Sequence, residues 1–269
     1  MRLKRSLVAL ACISLALVAC SNNDDSSGST GGGSTGAAAT ELTVFAASSL
    51  TAAFTQIGSD FEAANAGTKV TFNFGSSGDL AASIESEGTA DVFASASGTY
   101  MDEVSDKVGV SGRVDFAQNK LVIITPPDDP ANITSLEDLA NPGVQVVLAA
   151  EGVPVGDYAR QALDTAGIKK AVMANVVSNE EDDASVVAKI TAGEGDAAIV
   201  YVSDVTSTVA PQVNAVTVPD AVNVIATYPI AVVTGSPNAA GAQSFDDYVT
   251  SSAGQKTLAD YGFLPPPTS

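Results

Sequence analysis

The feature that most constrains this chain is a change of period within eight residues, Val44-Phe45-Ala46-Ala47-Ser48-Ser49-Leu50-Thr51. Leu42, Val44 and Phe45 read as a short buried strand, whereas Leu50, Phe54, Ile57 and Phe61 recur at helical spacing. The two serines therefore fall at a helix N-terminus. Such a position offers unpaired backbone N–H groups, the positive end of the helix dipole and two hydroxyl donors, which together suit an anion. The same chemistry returns at Phe74-Gly75-Ser76-Ser77-Gly78-Asp79-Leu80, where a strand again runs into a helix. Two such turns, with others further on, predict a pocket for a small tetrahedral oxyanion.

Residues 1–19 read as a signal peptide and are left out of the fold. Arg2, Lys4 and Arg5 open it, residues 7–18 are an apolar run too short to span a bilayer, and Leu17-Val18-Ala19-Cys20 has the form of a bacterial lipobox. That motif makes Cys20 the lipidated first residue of the mature chain; the alternative is an ordinary secretory signal with an incidental cysteine. Residues 21–40 are Ser, Gly, Asn, Asp, Thr and Ala, too poor in apolar groups to fold. Residues 20–40 are thus expected to be the lipidated cysteine and a flexible tether of about 25 Å r.m.s. reach. The folded part is then held at the outer face of the cell membrane.

Cys12 leaves with the signal and Cys20 carries lipid, so the mature domain has no thiol for a disulfide, a metal or nucleophilic catalysis. There is no histidine either, which removes the commonest general base and the commonest transition-metal ligand. Cleavage removes three positive charges and no negative ones, and takes the formal charge from −19 to −22. So acidic a chain argues against nucleic acid as a partner and makes an anion site paradoxical. Neutral donors in a dry cleft resolve the paradox, because local dipoles outweigh distant, screened carboxylates.

About 229 residues follow the tether, enough for one large domain or two lobes of roughly 100 each. Strand and helix signals alternate, which predicts an α/β protein of mostly parallel sheets flanked by helices. Strands are expected at 70–74, 91–95, 121–125, 144–149, 197–201 and 228–233. Helices are expected after Leu80, at 100–104, from Ser135, from Pro154 to Ala166, and at 182–191, 245–249 and 255–261. Two crossing segments, near 121–125 and 226–233, divide the chain into a discontinuous lobe I (41–120 plus 227–269) and an inserted lobe II (121–226), with a cleft between them. Periodicity alone also allows a single larger sheet.

The motifs in order are Val44-Phe45-Ala46-Ala47-Ser48-Ser49-Leu50, Phe74-Gly75-Ser76-Ser77-Gly78-Asp79-Leu80, Ala90-Asp91-Val92-Phe93-Ala94-Ser95-Ala96, Val153-Pro154-Val155-Gly156-Asp157-Tyr158-Ala159, Ala198-Ile199-Val200-Tyr201, Tyr228-Pro229-Ile230-Ala231-Val232-Val233 and Tyr261-Gly262-Phe263. In order and spacing the chain resembles the periplasmic molybdate-binding proteins of bacterial ABC transporters, in lipoprotein form, over essentially all of residues 41–263. The resemblance implies a two-lobed periplasmic-binding-protein fold of type II. It also implies a non-enzymatic, monomeric receptor without cofactor that captures molybdate, and tungstate with it, and delivers it to a permease in the membrane. The ion is then held through its oxygens with no cationic side chain and no cation site. By position, Ser49 and Ser77 look like hydroxyl and backbone donors, Val155 and Asp183 like backbone N–H donors at two helix starts, and Tyr201 like a phenolic donor. An all-donor pocket satisfies a deprotonated dianion, whereas hydrogen phosphate would present its own O–H to a donor.

Plainer readings stand beside these. Ser49 and Ser77 could be simple N-caps, and Tyr201 an ordinary core tyrosine at a strand end. Asp183 departs from the family, where the matching position is often apolar, and Glu180-Glu181-Asp182-Asp183 puts four carboxylates beside an anion site. The expectation is that these carboxylates face water and cap their own helix. The other outcome is that one turns inward as an acceptor, so that the pocket tolerates a protonated oxyanion; Asp79 raises the same question. A receptor for sulfate, phosphate or a small carboxylate is the alternative binding function, although Arg113 and Arg160, the only arginines of the mature chain, lie outside the matched site positions. Hydrolase or phosphatase chemistry lacks a histidine, a G-x-S-x-G turn and a metal-ligand cluster. The acidic run lacks the alternating spacing of a calcium loop.

Overall fold

A computed structural model describes residues 40–268. The signal segment, Cys20 and residues 21–39 of the tether lie outside the described residues. The opening unit forms where the period changes: strand β1 (Thr40–Ala47), a 3₁₀ turn at Ser48–Leu50, then helix α1 (Thr51–Ala64). Ala53, Phe54, Ile57, Gly58 and Phe61 form the buried stripe of α1, as an amphipathic helix requires. Gly58 has a steric reason to be there, since a Cβ would come within 2.6 Å of the Phe72 ring.

Strand β2 (Thr68–Gly75), helix α2 (Ser77–Glu87), strand β3 (Val92–Ala94) and helix α3 (Gly98–Lys107) follow. β1 lies between β2 and β3 and is parallel to both. Next comes β4 (Val110–Thr125), sixteen residues long, where the sequence predicted only its last five. The first part of β4 is largely exposed, and its pairing shifts register between Ser111 and Val114 and again between Asp115 and Ala117. Such irregularities break the alternation by which a strand is recognised.

The remaining elements are β5 (Val146–Ala149), α4 (Pro154–Thr165), α5 (Lys169–Met173), β6 (Val176–Glu180), α6 (Asp183–Thr191), β7 (Ala197–Tyr201), β8 (Asn214–Thr217), β9 (Ile225–Val233), α7 (Ala239–Thr250) and α8 (Ser252–Asp260). The strands run in the order β2-β1-β3-β9-β4-β7-β5-β6, with β8 also against β4. Over 110–120 β4 pairs with β9; over 121–125 it pairs with β7 and β8. The sheet is mixed. β1 is parallel to its neighbours at one end and β5 to β6 and β7 at the other, while every antiparallel pairing involves β4 or β9, the long strands in the middle. Phe54 anchors the core of the first half, with its ring 5.7–6.1 Å from those of Phe72, Phe116 and Phe245. Helix starts consequently gather at the carboxyl ends of β1, β2 and β5, where open α/β sheets hold their ligands.

Candidate anion-binding site

Ser49, Ser77, Val155, Asp183 and Tyr201 come from five different elements and line one cavity, together with Ser48. All five are buried. About 10 Å³ of this cavity is open to the centre of a water molecule, room for roughly one such molecule. No lysine or arginine is among its lining residues. Of the two arginines considered from sequence, Arg113 is half-exposed and pairs with Asp102, while Arg160 is buried against the carbonyls of Ala149 and Gly156 and the side chain of Asn179.

Three helical starts deliver unpaired N–H groups here. The 3₁₀ turn after Ala47, α2 after Ser76 and α4 after Val153 all lack a side-chain cap, so their first amides have no partner within the helix. Pro154 occupies the first position of α4, where it needs no donor, and Val155 presents the next amide. The N-cap readings of Ser49 and Ser77 are thereby replaced. Ser77 Oγ accepts the Ala96 N–H at 2.9 Å, which leaves its own hydrogen free for the cavity. Ser49 Oγ lies 2.9 Å from the Tyr228 hydroxyl, toward which Asn119 Nδ2 points at 3.4 Å while donating to Ser203 Oγ at 2.8 Å. This bond holds the Ser49 hydroxyl from behind at the cavity wall.

Tyr201 ends β7 with 1% exposure, and its hydroxyl has no hydrogen-bond partner. A buried unpartnered hydroxyl costs free energy unless something occupies the adjacent space. Burial, above all, keeps this phenol protonated by holding its pKa well above the usual value. It is therefore a donor at any working pH.

The acidic run divides. Asp182 behaves as the sequence predicts, capping α6 by accepting the Ser185 N–H at 2.7 Å. Asp183 does not: its side chain is turned inward, 3% exposed, and takes a hydrogen bond from Ser48 Oγ across the cavity. The reason is the helix phase. Asp183 shares the buried face of α6 with Val186, Val187 and Ile190, three, four and seven residues on. Its carboxyl therefore shares the cavity with the donors a ligand would use. Burial raises its pKa to about 6, with the charge of Asp182 adding to the rise and a hydrogen bond from Asp204 opposing it. Asp204, held by the Tyr201 N–H at 2.8 Å, is pushed up further by burial and by Asp183 itself. Asp79 lines a separate hollow with Glu181 and Asp182.

Sequence reasoning singled out Ser48 as part of the turn without giving it a site role, and it missed Tyr228, Asn119 and Asp204. Tyr228 opens the Tyr228–Val233 motif, and the alternation of β9 directs it inward; nothing in the local pattern marks Asn119 or Asp204. Contacts join elements before and after β4 around this region: Ser48 to Asp183, the Tyr100 hydroxyl to the Gly152 carbonyl, and a long Tyr158 hydroxyl contact of 3.5 Å to the Ala96 carbonyl.

The sequence pattern of bacterial extracellular solute-binding proteins matches residues 42–264. The molybdate-binding protein ModA of Mycobacterium tuberculosis is 41% identical over 229 residues, 85% of this chain and 86% of that protein. This chain belongs to the ModA family of bacterial extracellular solute-binding proteins. Among solved structures, the periplasmic molybdate-binding protein of Azotobacter vinelandii superposes with a TM-score of 0.75 at 18% identity, covering 84% of this chain and 100% of that one. The sulfate-binding protein SubI of M. tuberculosis superposes at 0.71 and 19% identity, covering 84% and 87%. Both likenesses are of fold, the two-lobed α/β architecture of periplasmic binding proteins. At the level of its family, this solute-binding protein is an extracytoplasmic component of transport and not an enzyme.

Proposed function

We propose that this solute-binding protein captures molybdate, and tungstate with it, and passes the ion to an ABC importer. The observation that carries the reading is the convergence of Ser49, Ser77, Val155 and Tyr201 on one cavity without a cationic side chain, one of them a buried hydroxyl with no other partner. These groups would donate to the oxygens of the ion and leave its metal untouched. Lobe I (41–120 plus 227–269) and lobe II (121–226) would close over the ion about β4 and β9, and the permease would read the closed form. Lipid on Cys20 would hold the monomeric receptor at the membrane; replacing Cys20 by alanine should release it to the soluble fraction.

Asp183 is the obstacle. A carboxylate about 4 Å from a dianion costs about 8 kcal/mol at an effective dielectric of 20, twice the unit-charge value. The same residue favours a second reading, hydrogen phosphate, whose O–H could donate to an ionised Asp183. Sulfate matches molybdate in charge and shape, so a preference between them rests on cavity size. The test is melting with each of the four oxyanions. Saturation at a thousand times Kd adds about 4 kcal/mol, a rise of about 10 °C for a domain of this size. Molybdate and tungstate should produce it, with little effect from sulfate or phosphate; equal shifts with all four defeat the specificity.

A further inference from the structure

Within a cavity of donors, Asp183 presents an acceptor. Its Oδ1 meets Ser48 Oγ, its Oδ2 has no partner, and the unpartnered Tyr201 hydroxyl lines the same space. The groups that face it are Asp182 on its own helix, Asp204 in the turn after β7, Tyr201 from β7, Tyr228 from β9 and Ser48 from the turn after β1. None is cationic. Nor can the carboxyl leave for water while α6 keeps its seat, because Val186, Val187 and Ile190 fix that face of the helix inward. We propose that Asp183 takes up one proton from solvent as a dianionic oxyanion enters, so that ion capture and protonation of this carboxyl are a single event. The inference rests on the oxyanion reading above and adds what sets the affinity.

The exchange balances simply. Buffer loses one proton, Asp183 gains it, and the complex carries one negative charge fewer than the separate ion and ionised protein. Once protonated, Asp183 changes from acceptor to donor and can offer its O–H to an oxygen of the ion. Burial already brings its pKa to about 6, so the proton is gained at little cost near neutral pH. Burial and the charge of Asp183 push Asp204 further in the same direction. Hydrogen phosphate would bring the proton with it and needs no uptake.

The experiment is calorimetric titration of the intact protein with sodium molybdate from pH 6 to 8.5, in two buffers of different ionisation enthalpy. About one proton should be taken up per ion at pH 8, and Kd should weaken about tenfold per pH unit above 7. Asp183→Asn should abolish both effects and bind more tightly than the unaltered protein at pH 8; Asp183→Val, the second variant, should also lose the slope. Molybdate binding without proton uptake, or an unchanged slope in Asp183→Asn, overturns the inference and leaves the receptor reading standing. Failure of the unaltered protein and of both variants to bind molybdate at any pH overturns that reading and the inference with it.

Discussion

On the wall of the cavity built before β4, the hydroxyls of Ser49 and Ser77 are neutral and each is fixed from behind, one by the Tyr228 hydroxyl and the other by the Ala96 amide. On the wall built after β4, the Val155 amide and Tyr201 hydroxyl stand beside the carboxyl of Asp183, whose own neighbour is Asp204. Preorganised neutral donors attract an anion equally at every pH. A wall that includes a carboxyl attracts it only in one protonation state. An acidic chain can thus offer an anion site, provided that its charge is either absent from the wall or titratable there.

The largest effect should come from breaking the first wall. Ser77→Ala removes a donor to a charged ligand, worth about 1.5–3 kcal/mol, and also strands the Ala96 N–H. Molybdate affinity should fall about 10- to 100-fold, with a lower melting temperature in the ligand-free protein. Tyr201→Phe, on the second wall, should weaken binding by a similar or smaller factor but leave the free protein's melting temperature unchanged, since that hydroxyl has no partner to lose. Loss of stability in Tyr201→Phe would mean that the hydroxyl serves the fold and not the ligand. Tyr228→Phe takes away the support behind Ser49 and should cost only a few-fold in affinity, for a neutral hydrogen bond of about 1 kcal/mol.

The smallest effect on binding is expected far from both walls. Asp246 in α7 is buried with neither carboxyl oxygen partnered, and burial pushes its pKa up to about 8. Unfolded, it titrates near 3.9. The folded state therefore holds the proton more tightly, so the stability from this group is complete below about pH 4 and is lost as pH rises through 8. Asp246→Asn should flatten the fall of melting temperature between pH 5 and 8.5 and leave molybdate affinity unaltered. A change in affinity would show that the pH dependence of binding is not confined to Asp183.

Much of this arrangement is legible in the residues. The period change at 47–49 marks the first helix start, and Pro154 after Val153 marks another. The four-carboxylate run reads as solvated because composition carries no direction; direction comes from phase, and counting back three, four and seven residues from Val186, Val187 and Ile190 reaches Asp183. The first part of β4 escapes notice because its exposed, bulged residues lack alternation. β6 and β8, short and half-covered, give equally little contrast. The Asn119–Tyr228–Ser49 relay joins residues 70 to 179 positions apart, and no local pattern encodes such a distance.

β4 hands its hydrogen bonds from β9 to β7 and β8 in a single step between Lys120 and Leu121. Neither half of the molecule can shed that strand and keep its sheet complete. Melting should therefore be one cooperative event, a single calorimetric peak, and an ion clasped by either half steadies both.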